Sequence, residues 1–429
     1  MGIGNCQSRR ERLISNVFRI ARTAAGLEKL YRENGKIDAE FWPRVEKFRA
    51  ALPKVKLDKK DDEDEAREVD FWELVLPDRP TAATLAWYAN YCRANRAALE
   101  AYESCFDREP PLPEKRFVRG NIFGIPLLTL AHCRHFVRDL ESSRMVYFLA
   151  VRDADAAWAC YRRIGSVCAY LQKEPFLIGG LVWIAVEQQR LNCVEKLLES
   201  RLLADAKLDE LDADLAALER DIPRDHRQSM YGEAVFGQDA IAGVEDGLLD
   251  LAYELNRPEN PPGAFAPYRW IFPQWWHYAA MDKKTILQLY LLPDFTHFPM
   301  TPVNKMLLMS NILLPPLECA GNRFYALTAR ARGIRVLIRA EKHRRKYGEF
   351  PKTLADLPLD PFTGKPLVYE VGKTEINEAV WEIPIDEFGT TVRRTADVLQ
   401  IHSDPARIPP GVRVPEDDRD STRAMIRIW

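Results

Sequence analysis

Tyr347-Gly348-Glu349-Phe350-Pro351-Lys352-Thr353-Leu354, followed by Leu359-Asp360-Pro361-Phe362-Thr363-Gly364-Lys365-Pro366-Leu367-Val368-Tyr369, is the stretch that decides the fold. Upstream of it, Tyr325 to Arg345 alternates apolar and basic residues at helical spacing and predicts a long helix. Gly348 stops that helix, because a residue just past the last turn favours the left-handed region that glycine enters without steric cost. Pro351 keeps Phe350 extended and turns its ring back onto the helix. Thr353 to Leu357 reads as a short second helix packing through Leu354 and Leu357. The Asp360-Pro361-Phe362-Thr363-Gly364 turn then launches a strand from Pro366 to Val371.

This unit resembles the soluble part of the major pseudopilins of type II secretion. There a long helix ends in Tyr-x-x-x-x-Gly-x-Tyr/Phe-Pro, and an Asp-Pro-aromatic-Gly-x-Pro-Tyr segment opens a small sheet. Tyr347, Gly348, Phe350, Pro351, Asp360, Pro361, Gly364 and Tyr369 carry the likeness here. The same module closes many uncharacterised, mostly helical bacterial proteins, and this chain is similar to those. Pro175-Phe176-Leu177-Ile178, Leu181-Val182, Ala185 and the acidic helix Leu203 to Leu218 add a looser likeness in the middle. The resemblance implies a small C-terminal α+β module and a link to the cell envelope. A pseudopilin opens with a cleaved leader and an apolar helix; neither pattern is expected here, so filament assembly does not carry over.

Composition narrows the class. The 429 residues are 47% hydrophobic and 29% charged with a net charge of −2, which is ordinary for a chain with a large core. Nothing in that balance favours nucleic acid or an anionic membrane surface. The eight cysteines contain no C-x-x-C pair, and several fall on apolar helix faces, so they read as reduced, structural thiols. The polar, basic start lacks a signal-peptide core, and no uncharged run reaches the ~18 residues of a membrane helix. A cytoplasmic location is the expectation, or an envelope location if an upstream anchor belongs to the native chain.

Along the chain, helices are expected at Leu13 to Tyr31, after Asp38, from Asp78 and Pro80 to Phe106, and at Leu127 to Leu140. Further helices are expected at Ala154 to Gln172 with Asp153 as cap, Leu177 to Leu198, Ala204 to Leu218, and Arg224 to Leu255. The buried line of the third runs through Leu85, Tyr88, Cys92, Leu99, Tyr102 and Phe106. Residues 54–68 form a charged run read as a solvated loop. Residues 257–304 hold eight prolines and the aromatic cluster Trp270-Ile271-Phe272-Pro273-Gln274-Trp275-Trp276, so they must wrap over other helices around one short helix, Lys283 to Leu292. Strands are expected at Val380 to Ile385, Thr395 to His402 and Ala424 to Trp429.

The fold class expected is therefore mostly α: an irregular helical array of solenoid-like pairs over 1–322, and a small α+β module over 323–429 whose long helix packs on the body.

Candidate chemistry is sparse. His132, Cys133 and His135 crowd one helical turn, but only the two histidines share a face, and a tetrahedral zinc site needs more ligands. Gly372-Lys373-Thr374 imitates the end of a phosphate-binding loop without its first glycine and follows a strand directly. Trp270, Trp275, Trp276 and Tyr278 are the best candidates for a ligand or partner surface, with Glu254, Glu259, Asp282 or Asp294 as candidate carboxylates for glycosidic chemistry, although tryptophans in a Pro-rich wrap usually fill a groove between helices. The basic run Arg330, Arg332, Arg335, Arg339, Lys342, Arg344, Arg345 and Lys346 reads as a solvated helix face. No catalytic residue, metal or cofactor is implied. The function expected is a non-catalytic scaffold or interaction protein with a protein partner. The alternative is a hydrolase of carbohydrate or a similar polymer with a Trp-lined cleft.

Overall fold

The computed structural model describes residues 54–56, 68–70, 76, 80–94, 96–106, 133–134, 136–174, 176–245, 317–380, 390–402 and 424–428. They are mostly helical. Strands β1 (Lys54–Lys56) and β2 (Glu68–Asp70) pair antiparallel with Val55 opposite Val69. The ends of the charged run are thus strand, not loop.

Thr81 starts helix α1 (Ala82–Ala94): its hydroxyl accepts the Thr84 amide at 3.2 Å, so the cap lies three residues past the Asp78 expected from sequence. The long helix expected there is two, α1 and α2 (Arg96–Glu103), closed by a 3-10 turn at Ser104–Phe106. Tyr88, Leu99 and Tyr102 are buried from that line, while Leu85, Cys92 and Phe106 are only partly so. A π-helical turn at Phe136–Glu141 runs directly into α3 (Ser142–Ala150), beyond the expected end at Leu140.

Helix α4 (Ala154–Leu171) is capped by the Asp153 carboxylate, which accepts the Ala156 amide at 3.0 Å. Helix α5 (Leu177–Ser200) ends at Arg201, which is left-handed with φ 57°. The two helices expected at Ala204 to Leu218 and Arg224 to Leu255 are one, α6 (Asp205–Glu245), with Pro223 inside it. Proline removes one intrahelical bond, but Leu218, Ile222 and Met230 are buried on either side and hold the helix in register.

Helix α7 (Leu317–Tyr347) is the spine. Phe324, Leu327, Ala331, Ile334, Val336, Leu337, Ile338 and Ala340 are all buried, so apolar residues point to several sides at once and the helix lies inside the core. It touches α5, α6 and the C-terminal sheet. The basic residues expected on a solvated face are mostly paired instead, although Arg339 is exposed. Arg332 meets Glu219 at 2.7 Å, Arg335 meets Asp212 and Glu219 at 2.9 Å each, Lys342 meets Asp209 at 2.6 Å and Arg345 meets Asp205 at 2.6 Å. As numbers rise on α7 they fall on α6, so the helices run antiparallel along an ionic seam. Arg330, nearly buried, turns instead to Glu195 on α5 at 2.9 Å.

After α7 the chain turns as its residues dictate. Gly348 has φ +90° and donates to the Arg344 carbonyl at 2.7 Å. Thr353 to Leu357 is not helical; Leu354 and Leu357 nonetheless pack on the core, and Phe350 does the same. The buried Asp360 carboxylate organises the next turn: Oδ1 accepts the Phe362 amide at 3.0 Å and Oδ2 the Thr363 hydroxyl at 2.9 Å. Gly364 sits at φ +65°. The Tyr369 hydroxyl donates to the Pro351 carbonyl at 2.6 Å, tying the strand back to the helix stop.

Strand β3 (Val368–Val380) is longer than expected and takes in Gly372, Lys373 and the start of the strand expected at Val380. It pairs antiparallel with β4 (Thr390–His402), and β5 (Ala424–Ile428) completes the order β3-β4-β5. Leu367, Leu399 and Ile401 belong to the same buried cluster as α4, α5, α6 and α7. The domain boundary expected at Asn322 falls inside α7, where Asn322 is itself buried.

Candidate functional site

Trp270, Trp275, Trp276 and Tyr278, with Glu254, Glu259, Asp282 and Asp294, lie outside the described residues, as do His132, His135 and the helices expected before residue 54 and at Lys283 to Leu292. Cys133 is buried and its thiol is pushed up to about 12 by burial. Among the described residues no cluster of His, Cys, Asp and Glu could hold a metal ion. No helix among them is long and apolar enough to cross a membrane.

The structure instead offers a groove of about 340 Å³ between α4, α5 and α6. Its geometry follows from helix packing. Tyr161 reaches Asp214 and Gln172 reaches Asp225, each 53 residues on, so α4 and α6 run parallel with a constant offset. Helix α5 returns antiparallel beneath them and supplies the floor: Trp183, Glu187 and Arg190, one residue per turn on one face.

Arg190 is the residue on which the site turns. It is 9% exposed, and its Nε donates to Glu187 Oε2 at 2.7 Å. Its guanidinium lies over the Tyr161 ring, 5.5 Å from the ring centre, a cation–π distance. Burial alone would lower its pKa, but the Glu187 carboxylate raises it, so the guanidinium stays charged. That one Nε bond is the hydrogen bond Arg190 makes among the described residues, although guanidinium carries five N–H donors. Its terminal nitrogens face the groove beside Gly165, where a Cβ would stand 3.4 Å from Nη1.

The other lining groups are committed. Tyr161 donates to Asp214 Oδ2 at 3.3 Å, and Arg162 approaches Asp214 at 3.5 Å from the rim. Asp221 pairs with Arg224 at 3.2 Å in an exposed contact. Burial, reinforced by Glu187, pushes the Cys168 thiol well up; burial likewise raises the Tyr161 phenol against the pull of Arg190. Both stay protonated at neutral pH and are poor nucleophiles.

A second charged cluster lies deeper. Glu141, at the end of the π-helical turn, accepts Arg163 Nε at 2.9 Å, and Arg144 pairs with Glu103. Burial would raise the Glu141 carboxyl, but Arg144 and Arg163 together hold it below the usual range. Tyr88, Tyr102 and Cys160 enclose it, and their acidities are all depressed by burial. This cluster joins α2, α3 and α4 and lines no part of the groove.

None of the groove residues was singled out by sequence reasoning. One signal was there: Glu187 and Arg190 stand at i and i+3 between the apolar Val186 and Leu191, charges on the buried side of the helix. Compared with protein-family models, with curated proteins and with solved structures, the chain matches none.

Proposed function

We propose that this chain is a non-catalytic scaffold and interaction protein whose helical body recognises a ligand in the α4–α5–α6 groove without transforming it. The observation that carries the reading is the state of Arg190: buried, oriented by Glu187 and Tyr161, and left with donors to spare. A charged guanidinium held in place, with its remaining donors opening onto a groove, is suited to receive acceptor groups. The neighbouring groups fit recognition better than reaction, because Cys168 and Tyr161 are held protonated.

Residues 323–429 are read as a pseudopilin-like module and the helical body as an irregular, solenoid-like array with a protein partner. The helix stop at Gly348, the Asp360 turn and the sheet that follows support the module; the envelope link rests on the resemblance alone. The test is turnover. The purified chain is incubated with chromogenic glycosides, oligosaccharides and peptide esters, and product is followed by absorbance and mass spectrometry. Rates at the buffer level are expected. Turnover that disappears on Glu187→Gln would overturn the reading in favour of a hydrolase.

A further inference from the structure

The groove has an electrostatic pattern beyond the unspent arginine, and it narrows the ligand. Its lining holds two guanidinium groups, Arg162 and Arg190, against three carboxylates, Glu187, Asp214 and Asp221. Glu187 is consumed by Arg190, leaving a deep donor fork on the floor and two carboxylates on the α6 wall. A simple anion would meet the fork but also that excess of negative charge. A simple cation would meet the wall but leave the fork unfilled. A molecule carrying both charges satisfies each.

Spacing supports the same conclusion. Arg190 lies over the Tyr161 ring, and the Tyr161 hydroxyl bonds Asp214, so fork and first carboxylate flank one aromatic side chain. Asp221 stands seven residues further along α6, or about 10 Å at ~1.5 Å per residue. Trp183, Ala217 and Leu218 supply apolar lining along the groove. The partners now on the carboxylates are exchangeable: Arg162 is 57% exposed at 3.5 Å, and Arg224 is 61% exposed at 3.2 Å. Such surface pairs contribute at most ~1 kcal/mol each.

We infer that the groove binds a small zwitterion of the α-amino-acid type: its carboxylate on the Arg190 fork, its ammonium on Asp214, and its side chain along α6 toward Asp221. Basic amino acids bind best, because a distal cation reaches the second carboxylate. This rests on the recognition reading above and deepens it by naming the ligand class.

The experiment is isothermal titration calorimetry on the full chain with lysine, arginine, leucine and glutamate. Hexanoate serves as the carboxylate-only probe and pentylamine as the amine-only probe. Saturable binding is expected in the order lysine and arginine, then leucine, then glutamate. Each single-charge probe should be weaker than lysine by at least about tenfold, the worth of one charge-assisted hydrogen bond. Arg190→Lys keeps the pair with Glu187 but loses the fork, and Asp214→Asn keeps the Tyr161 acceptor but loses the charge. Each should weaken lysine by at least about tenfold with an unchanged circular dichroism spectrum and Tm. Gly165→Ala, which places a methyl group beside Nη1, should weaken it less. Hexanoate binding as well as lysine, no saturable heat with any amino acid, or lysine binding indifferent to both charge variants would overturn the inference. Conversion of a bound amino acid into product would instead contradict the non-catalytic reading and leave the ligand class standing.

Discussion

Three helical glycines should respond to the same substitution in three different ways. A Cβ built on Gly179 would lie 2.5 Å from the Cβ of Glu174, an atom held by its own backbone. No rotamer change relieves that clash, so the turn before α5 must move, at the upper end of the ~1–3 kcal/mol that overpacking costs. Alanine returns less than ~1 kcal/mol in the first helical turn, so Gly179→Ala should destabilise by about 2 kcal/mol. A Cβ on Gly180 would lie 2.6 Å from Ser229 Oγ, which can rotate away, but also 3.2 Å from Ser229 Cβ, which cannot. The residual clash and the propensity gain nearly offset, giving about 0–1 kcal/mol of loss. On Gly165 the nearest atom is Arg190 Nη1 at 3.4 Å, an ordinary contact, so Gly165→Ala should be neutral or stabilise by up to ~1 kcal/mol. Urea denaturation followed by far-UV circular dichroism orders the three midpoints. Ser229→Ala should not rescue Gly180→Ala, because alanine keeps the Cβ responsible for the residual clash. Equal shifts at all three positions, or the largest loss at Gly165, would refute the packing described between α4, α5 and α6.

Other perturbations act through charge. Burial lifts the Glu233 carboxyl to about 7 against an amide bond from Leu177, so its folded pKa exceeds its unfolded one. The stability it contributes is full below pH ~4.5 and lost as pH rises through about 7, at most ~3 kcal/mol; Glu233→Gln should flatten that fall in thermal melts. Glu141 has the opposite sign: its folded pKa is depressed, so its contribution is present above pH ~4.5 and lost on acidification. Glu141→Ala leaves Arg163 and Arg144 with Glu103 as their shared carboxylate and should cost about 3 kcal/mol at pH 7, read by urea denaturation. On the α6–α7 seam, Asp209→Lys and Lys342→Asp should each cost less than ~1 kcal/mol. The double exchange should restore stability at low salt, and 1 M NaCl should erase both effects.

What the sequence made legible was local chemistry. Asp153 caps α4 and Leu177 opens α5 where expected, and Gly348 ends α7 with a positive φ, because each depends on a few neighbouring residues. The Asp360 turn is similar: carboxylate, hydroxyl and glycine lie within five positions. What stayed hidden depends on partners far along the chain. The basic face of α7 looks solvated until α6 is set against it, 113 to 140 residues away, and then most of its charges are seen to be matched. Two helices were expected where α6 is one; the gap between Leu218 and Arg224 spans Pro223, and the burial of Ile222 and Met230 that holds the helix through it is not visible locally. The short helix expected at Thr353 to Leu357 failed for a related reason: Leu354 and Leu357 reach the core from an irregular segment. The groove was the least legible, since Arg190 and Glu187 acquire meaning only when Tyr161, Gly165 and Asp214 are brought around them.

Helix α7 is the spine on which the helical body and the C-terminal sheet share one core, and native-state hydrogen exchange is the decisive measurement. Leu399 and Ile401 of β4 and Leu191 and Val194 of α5 are all fully or almost fully buried in the same cluster. Their amides should open together, with the same free energy and the same dependence on denaturant. Exchange of the Leu399 and Ile401 amides through a separate, lower-energy opening, while Leu191 and Val194 stay protected, would show two independent units and contradict the shared core.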